Sequence, residues 1–311
     1  MNKFNWDNYK YIDYLNCTET EINNLPNGVK ISTMCASCKL NTVINLNNIE
    51  KYMRLNINDI LCVKVNKERI RSLIPKEKKN RRKPNKIMEL KEKNLFYNQI
   101  TVVIRIGNGL EPILDWKKEP KINLKLFKNG SVQMSGCKSI SGINIVLNKL
   151  IYKLKEINVK FENNKPVEKH FIVDYDKITI NLFKVDMINS NYKVQMQLDR
   201  AKLFNLLIKK KIKSLFEPCI RACVIIKYIP KENNFEEKEI SIFLFQKGNI
   251  IITGARTKNH IISAHKYINN ILITHYEEIN KKNEIEEENL ILDIYNNIVK
   301  DANIGLININ P

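Results

Sequence analysis

Apolar Ile122, Leu124 and Leu126 alternate with Asn123, Lys125 and Phe127. A period of two predicts a β-strand with one covered face. Lys128-Asn129-Gly130 follows, and Asn and Gly tolerate the backbone angles of a tight hairpin. The return strand runs from Val132 to Gly136, after which Ile143, Val146, Leu147, Leu150 and Leu154 recur at helical spacing. The same order begins again at Ile240, with Ile242 and Leu244 on the covered face. There Ile261, Ile262, His265, Ile268 and Leu272 take the helical spacing. One constant offset, with no gap, brings Phe127 onto Phe245, Gly130 onto Gly248, Ser135 onto Thr253, Gly136 onto Gly254 and Lys138 onto Arg256. A repeat this long is an internal duplication of domain-sized halves rather than a solenoid.

The opposite strand face differs between the copies. The first carries Lys125, Phe127, Gln133 and Ser135; the second carries Phe243, Phe245, Ile251 and Thr253. Two readings stand open: a sheet covered on both sides, or an exposed, partly apolar face used for binding.

The remaining elements fall around these two hairpins. Residues 1–28 form an N-terminal extension rich in aromatics (Phe4, Trp6, Tyr9, Tyr11, Tyr14), either a short docked helix or a loose arm. The first repeat spans 29–160. It opens with a strand from Val29 and a helix from about Asn47 with Asn at its N-cap. An insertion at about 60–98 interrupts it, with the basic run KEKKNRRKPNK at its centre. That run is a solvated loop, an import address or an arm that grips phosphates. Gln99–Ile106 is a strand, and residues 158–169 read as a polar link. The second repeat, 161–279, runs strand (178–190), helix (201–216), strand (222–228), then the second hairpin. The extension 280–311 is acidic, with Ile285, Leu290, Ile291, Ile294 and Ile298 near helical spacing, either a capping helix or a partner-binding tail.

Composition narrows the function. The 311 residues carry a net charge of +19, which favours a polyanionic partner, nucleic acid ahead of an anionic membrane. The abundance of Lys, Asn and Ile also fits an AT-rich genome. Seven scattered cysteines read as reduced thiols of an intracellular protein, and Cys35-x-x-Cys38 has no second ligand pair to complete a zinc site. No apolar run reaches membrane-spanning length. The four histidines form no metal spacing, and no Ser/His/Asp or Cys/His arrangement is legible, so neither enzyme nor cofactor is expected.

Leu126-Phe127-Lys128-Asn129-Gly130 with Ser135-Gly136-Cys137-Lys138, and Leu244-Phe245-Gln246-Lys247-Gly248 with Thr253-Gly254-Ala255-Arg256, resemble the repeated hairpin motif of the TATA-box-binding protein (TBP) family, in a divergent form similar to those of giant DNA viruses. Ile31-Ser32-Thr33, Ile44-Asn45-Leu46, Phe183-Lys184-Val185 and Glu217-Pro218 support the likeness over residues 29–279. The resemblance implies an α+β fold: a pseudo-symmetric saddle of two TBP-like repeats, its curved antiparallel sheet concave toward DNA and its helices on the convex face.

It also implies roles. Phe127 and Phe245 match one of the two wedge phenylalanines in each half, and the partner positions hold Gln99 and Arg221. Val29 and Asp186 occupy the places of the family's base-reading Asn. Ile31, Ile188, Phe243 and Ile251 take groove-packing positions, where Lys125 and Gln133 replace apolar residues. Arg105, Lys138, Lys227 and Arg256 are phosphate contacts, and Ser135 and Thr253 keep the hydroxyls. The expectation is a monomeric transcription-initiation factor that binds A·T-rich double-stranded promoter DNA in the minor groove. Its protein partners would be general transcription factors or RNA polymerase subunits, in a nucleus or a viral factory. The alternative is a TBP-fold scaffold that has lost specific TATA binding.

Overall fold

The structure, a computed structural model, describes residues 4–16, 22, 24–65, 69–75, 98–107, 112–174, 178–230 and 238–281. The chain divides into two compact units, one built mainly on Ile31–Ser190 and the other on Asn191–Gly254 with the helix that follows.

Unit 1 contains β1 (Lys30–Leu40), α1 (Leu46–Tyr52), β2 (Ile60–Lys64), β3 (Ile70–Ser72), β4 (Gln99–Arg105), β5 (Lys121–Phe127), β6 (Ser131–Cys137), α2 (Ile140–Leu154), β7 (Asn158–Glu162), β8 (Lys165–Lys169) and most of β9 (Ile180–Lys193). Strands β1-β6-β5-β4-β2-β3 form an antiparallel run in that order. The period-two pattern translates into burial: Ile122, Leu124 and Leu126 are inaccessible, and Lys125 between them is exposed. The helical set Ile143, Val146, Leu147, Leu150 and Leu154 closes the same core from α2. Ser139 caps α2 by accepting from the Gly142 amide at 3.1 Å, and Asn45 caps α1 through the Asn48 amide.

Unit 2 contains the last residues of β9, then α3 (Arg200–Lys209), β10 (Ser214–Leu215), β11 (Cys223–Tyr228), β12 (Ile240–Phe245), β13 (Asn249–Ala255), α4 (Lys258–Thr274) and α5 (Tyr276–Ile279). Its strands pair antiparallel in the order β10-β11-β12-β13. Ile240, Ile242, Leu244, Ile250 and Ile252 form its covered face, closed by Ile261, Ala264 and Ile268 of α4. Tyr228 stacks on Tyr267 at 4.3 Å and its hydroxyl meets that of Ser263 at 2.7 Å, which fixes α4 on β11.

Several expectations change. Within the stretch expected as an insertion, Ile60–Lys64 and Ile70–Ser72 are strands of the sheet: Ile60, Leu61, Cys62 and Val63 are buried, and β2 pairs with β4 and β3. The basic run centred on 76–86 and the acidic 282–311 lie outside the described residues. The polar link 158–169 is the β7-β8 hairpin, because Asn163 and Asn164 both adopt positive φ at its turn. Helix α3 stops at Lys209, where Lys211 turns left-handed, short of the expected 216. The division between the two compact units falls after residue 190, within β9.

The N-terminal extension is docked on unit 1. Trp6 is 1% exposed and its indole donates to Asp59 Oδ2 at 3.3 Å. Phe4, Tyr9, Tyr11 and Tyr152 pack edge-on or stacked around it. From α2, Asn148 both accepts from and donates to the Ile12 backbone, at 2.9 and 2.8 Å, and Asn144 accepts from the Tyr14 amide. Lys149 is fully buried beneath this cap, 5.2 Å from the Trp6 ring, and donates to the carbonyls of Asn58, Arg105 and Gly107. Burial pulls its pKa down from 10.5 to about 8, opposed by the Asp59 carboxylate.

Candidate nucleic-acid interface

Each hairpin is held to its own unit by the same device. Gly130 and Gly248 accept the turn at φ +83° and +77°, and each amide bonds back to the phenylalanine carbonyl at 3.0 Å. Leu40 N–H donates to Gly130 O, and Val194 N–H to Gly248 O. A Cβ on Gly130 would meet the carbonyls of Leu40 and Thr42; one on Gly248 would meet those of Val194 and Met196. Glycine is therefore required at both turns. The close approach fixes Phe127 and Phe245, both half-exposed, at the strand ends.

The second face of each sheet is open rather than covered. In unit 1 the register aligns Ser37, Gln133, Lys125, Thr101 and Lys64 in one cross-strand row. Ser135, Asn123 and Val103 form the row beside it. Lys125, Gln133, Ser135, Asn123 and Lys64 are exposed. In unit 2 the corresponding row is Ile251, Phe243, Ile225 and Leu215, beside Thr253, Ser241 and Lys227. Phe243, Ile251 and Thr253 are half-exposed, Ile225 is buried and Leu215 is exposed. In the same unit a cleft of about 500 Å³ opens beside Phe245, lined by Gly28, Lys30, Tyr192, Lys193, Asn249 and Ile251.

The cationic positions divide. Lys138 is exposed and Arg256 half-exposed. Lys227 reaches Glu239 at 3.1 Å and Ser241 at 2.9 Å, which holds it at the rim of the open face. The Glu239 carboxyl is drawn below its ordinary pKa by hydrogen bonds from Lys213 and Lys227. Arg105 needs correction as a phosphate contact: it is 4% exposed and its guanidinium is engaged by Glu119. Ile188 needs the same correction. It is inaccessible, as is Ser190, so these positions of β9 point into the core. The open side of β9 instead carries Val185, Met187, Asn189 and Asn191. A one-residue slip in a strand exchanges its faces, and the weak alternation of this segment gave no means of detecting the slip. Met187 and Asn189 are thus surface residues that sequence reasoning missed, as are Thr101 and Lys64.

One of the two wedge partners differs from expectation. Gln99 sits directly across from Phe127, but Cys223 sits across from Phe245, with Arg221 ahead of the strand. Ile31 is half-exposed on β1, while Val29 is buried at 8%. Cys35 and Cys38 fall on opposite faces of β1, so they cannot share an ion. Burial pushes the Cys38 and Cys137 thiols up to about 12, which leaves them as packing residues. Among the described residues no group of three or more His, Cys, Asp or Glu could hold a metal ion, and no helix is long and apolar enough to cross a membrane. His265 lies on α4 against the Tyr192 ring at 4.7 Å, bonded to Asn269, and burial lowers its pKa.

Fold and surface define an α+β protein made by duplication, with an open, partly basic sheet face in each half. Comparison with known proteins agrees. The chain is 36% identical over 267 residues to the "TATA-box-binding protein-like" protein of Acanthamoeba polyphaga mimivirus, covering 81% of this chain and 66% of that one. It is 22% identical over 151 residues to the "TATA-box-binding protein" of Aeropyrum pernix, covering 49% of this chain and 61% of that one. The chain thus spans less than two thirds of either relative's length. A solved structure of Methanococcus jannaschii TBP overlaps 80% of this chain and 98% of its own, at 16% identity and a TM-score of 0.44. No family model matches. The chain is a divergent TATA-box-binding-protein-like protein.

Proposed function

We propose that this protein is a transcription-initiation factor that binds promoter DNA in the minor groove through its open sheet faces and recruits transcription machinery through its helices. The observation that carries the reading is the duplicated hairpin, in which a glycine-held turn sets a half-exposed phenylalanine at the end of each open face. Phe127 and Phe245 enter base steps as apolar wedges, a mode that bends DNA toward the major groove. Phe243, Ile251 and Ile31 pack on the groove floor together with Met187 and Asn189, which are half-exposed on β9. Lys125, Gln133, Ser135 and Thr253 meet base edges or sugars. Lys138, Lys227 and Arg256 lie against phosphates, and the net charge of +19 supports the anionic partner. A·T-rich sites that contain TA steps are favoured because pyrimidine–purine steps kink easily. The names of the relatives agree with this reading. It involves no catalytic step, and the protein acts as a monomer inside the cell, in a nucleus or viral factory.

Fluorescence anisotropy with A·T-rich duplex, G·C-rich duplex and single strands, at two salt concentrations, tests it. The expected result is salt-sensitive binding that favours A·T-rich duplex and is weakened in Phe127→Ala/Phe245→Ala. Equal binding to every probe, unchanged by the double substitution, would refute it. The polar row of unit 1 favours a second reading, a scaffold that keeps only protein partners. That reading predicts no duplex binding at physiological salt.

A further inference from the structure

The two open faces carry the same backbone and opposite chemistry. Gln133 and Ile251 occupy equivalent places in the repeated hairpin, as do Lys125 and Phe243. Beside them the strand register sets Thr101 against Ile225, and Lys64 against Leu215. The difference covers a whole cross-strand row.

That difference has a consequence for the minor groove. An A·T pair shows only acceptors there, adenine N3 and thymine O2, and a G·C pair adds the guanine N2 amino donor. Against Phe243 and Ile251 the extra donor is dehydrated and finds no acceptor, which is the costly way to bury a polar group. Against unit 1 it is met. The Gln133 carboxamide supplies a carbonyl acceptor and two N–H donors, and the hydroxyl of Ser135 can accept or donate. Lys125 donates only, and serves adenine N3 and thymine O2 equally. These side chains are exposed on the open face rather than committed to the core.

We propose that the two units divide the reading of the duplex: unit 2 requires A·T pairs under Phe243 and Ile251, and unit 1 accepts G·C pairs under Lys125 and Gln133. The preferred element is therefore asymmetric, A·T-strict on one side and permissive on the other, and the protein reads a direction along DNA. This rests on the minor-groove reading above.

The test uses the full chain and four duplexes: an A·T run between G·C clamps, the same run with one half changed to G·C, with both halves changed, and with both halves changed and inosine in place of guanine. A·T and T·A look alike in the minor groove, so the protein can turn round on the half-replaced duplex and set unit 2 on the half that stays A·T. The half replacement should therefore weaken binding less than about threefold, and the full replacement roughly tenfold or more, as a mismatched position does. Inosine lacks the N2 amino group and shows the minor-groove pattern of A·T, and it should restore the fully replaced duplex. In Gln133→Ile/Lys125→Phe, which copies the unit 2 row into unit 1, the half replacement should itself weaken binding roughly tenfold or more. A half replacement as costly to wild type as the full one, equal tolerance of all the duplexes, or no rescue by inosine, would overturn the division while leaving A·T-run binding, and so the minor-groove reading, intact. No binding to any duplex would overturn both. Should the double variant fail to fold, the wild-type comparison of half and full replacement decides alone.

Discussion

The two halves of this protein share a turn, a strand register and a capped core, and they differ on both surfaces of the sheet. On the open side, unit 1 presents Gln133, Lys125, Thr101 and Lys64 where unit 2 presents Ile251, Phe243, Ile225 and Leu215. On the helix side, Lys149 of α2 is buried beneath Trp6, while its repeat counterpart Tyr267 of α4 stacks on Tyr228. Asn148 holds the N-terminal extension of unit 1 at Ile12, and its counterpart Lys266 is exposed. The covered face and the turn glycines have stayed alike because they answer to packing within each copy. The outer surfaces, which packing within each copy does not constrain, differ.

The largest test of this contrast is Trp6→Ala. It empties a fully buried aromatic site over α2 and should lower unfolding free energy by about 3–5 kcal/mol in denaturant titration. A loss under about 1 kcal/mol would mean that the N-terminal segment is not part of the unit 1 core. Next are Gly130→Ala and Gly248→Ala, which should each cost about 1–3 kcal/mol through the positive φ, plus the clash with a strand carbonyl. Similar losses at both sites would support a shared turn device; a loss at one alone would break the parallel.

On the DNA side, removing an aromatic that stacks on a base costs about 1–3 kcal/mol of binding. Phe245→Ala should weaken duplex affinity more than Phe127→Ala, because Phe245 stands with an apolar row and Phe127 with a polar one. The reverse order, read by anisotropy, would shift the wedge function to unit 1. A pH titration sharpens the comparison on the helix side. The Lys149 pKa is about 8 in the fold against 10.5 when unfolded. Between those values the unfolded chain binds the proton more tightly, so raising pH stabilises the fold. The stability of wild type relative to Lys149→Met should rise across that window by about 3 kcal/mol, and Tyr267→Phe in unit 2 should show no such rise. The smallest effect is Lys138→Ala, which should reduce the salt slope of duplex affinity by about one. An unchanged slope would take Lys138 off the phosphate track.

Most of the repeated core was legible in the sequence. The alternation at Ile122–Leu126 and Ile240–Leu244, the turn glycines and the helical sets all describe contacts made within a few residues along the chain. What escaped were the decisions made by long-range pairing. The strand β2 was hidden because a fully buried run, Ile60–Val63, has no alternation and abuts a charged segment. The face of β9 was misassigned at Ile188 because a strand with mixed polarity on both sides does not announce its register. The burial of Arg105 depended on Glu119, which lies across a loop.

By itself the sequence determined the duplication, the hairpin and helix of each half, the net positive charge and the residues on either face of β5, β6, β12 and β13. The duplication is written in one constant offset between the two copies, and the rest follow from local periodicity or composition. Only the tertiary structure decided that the N-terminal aromatics close over α2, that Lys149 is stripped of water beneath Trp6, and that Gln133, Lys125, Thr101 and Lys64 form one row. Those facts join residues far apart in the chain, where burial and strand register, rather than local propensity, set the outcome.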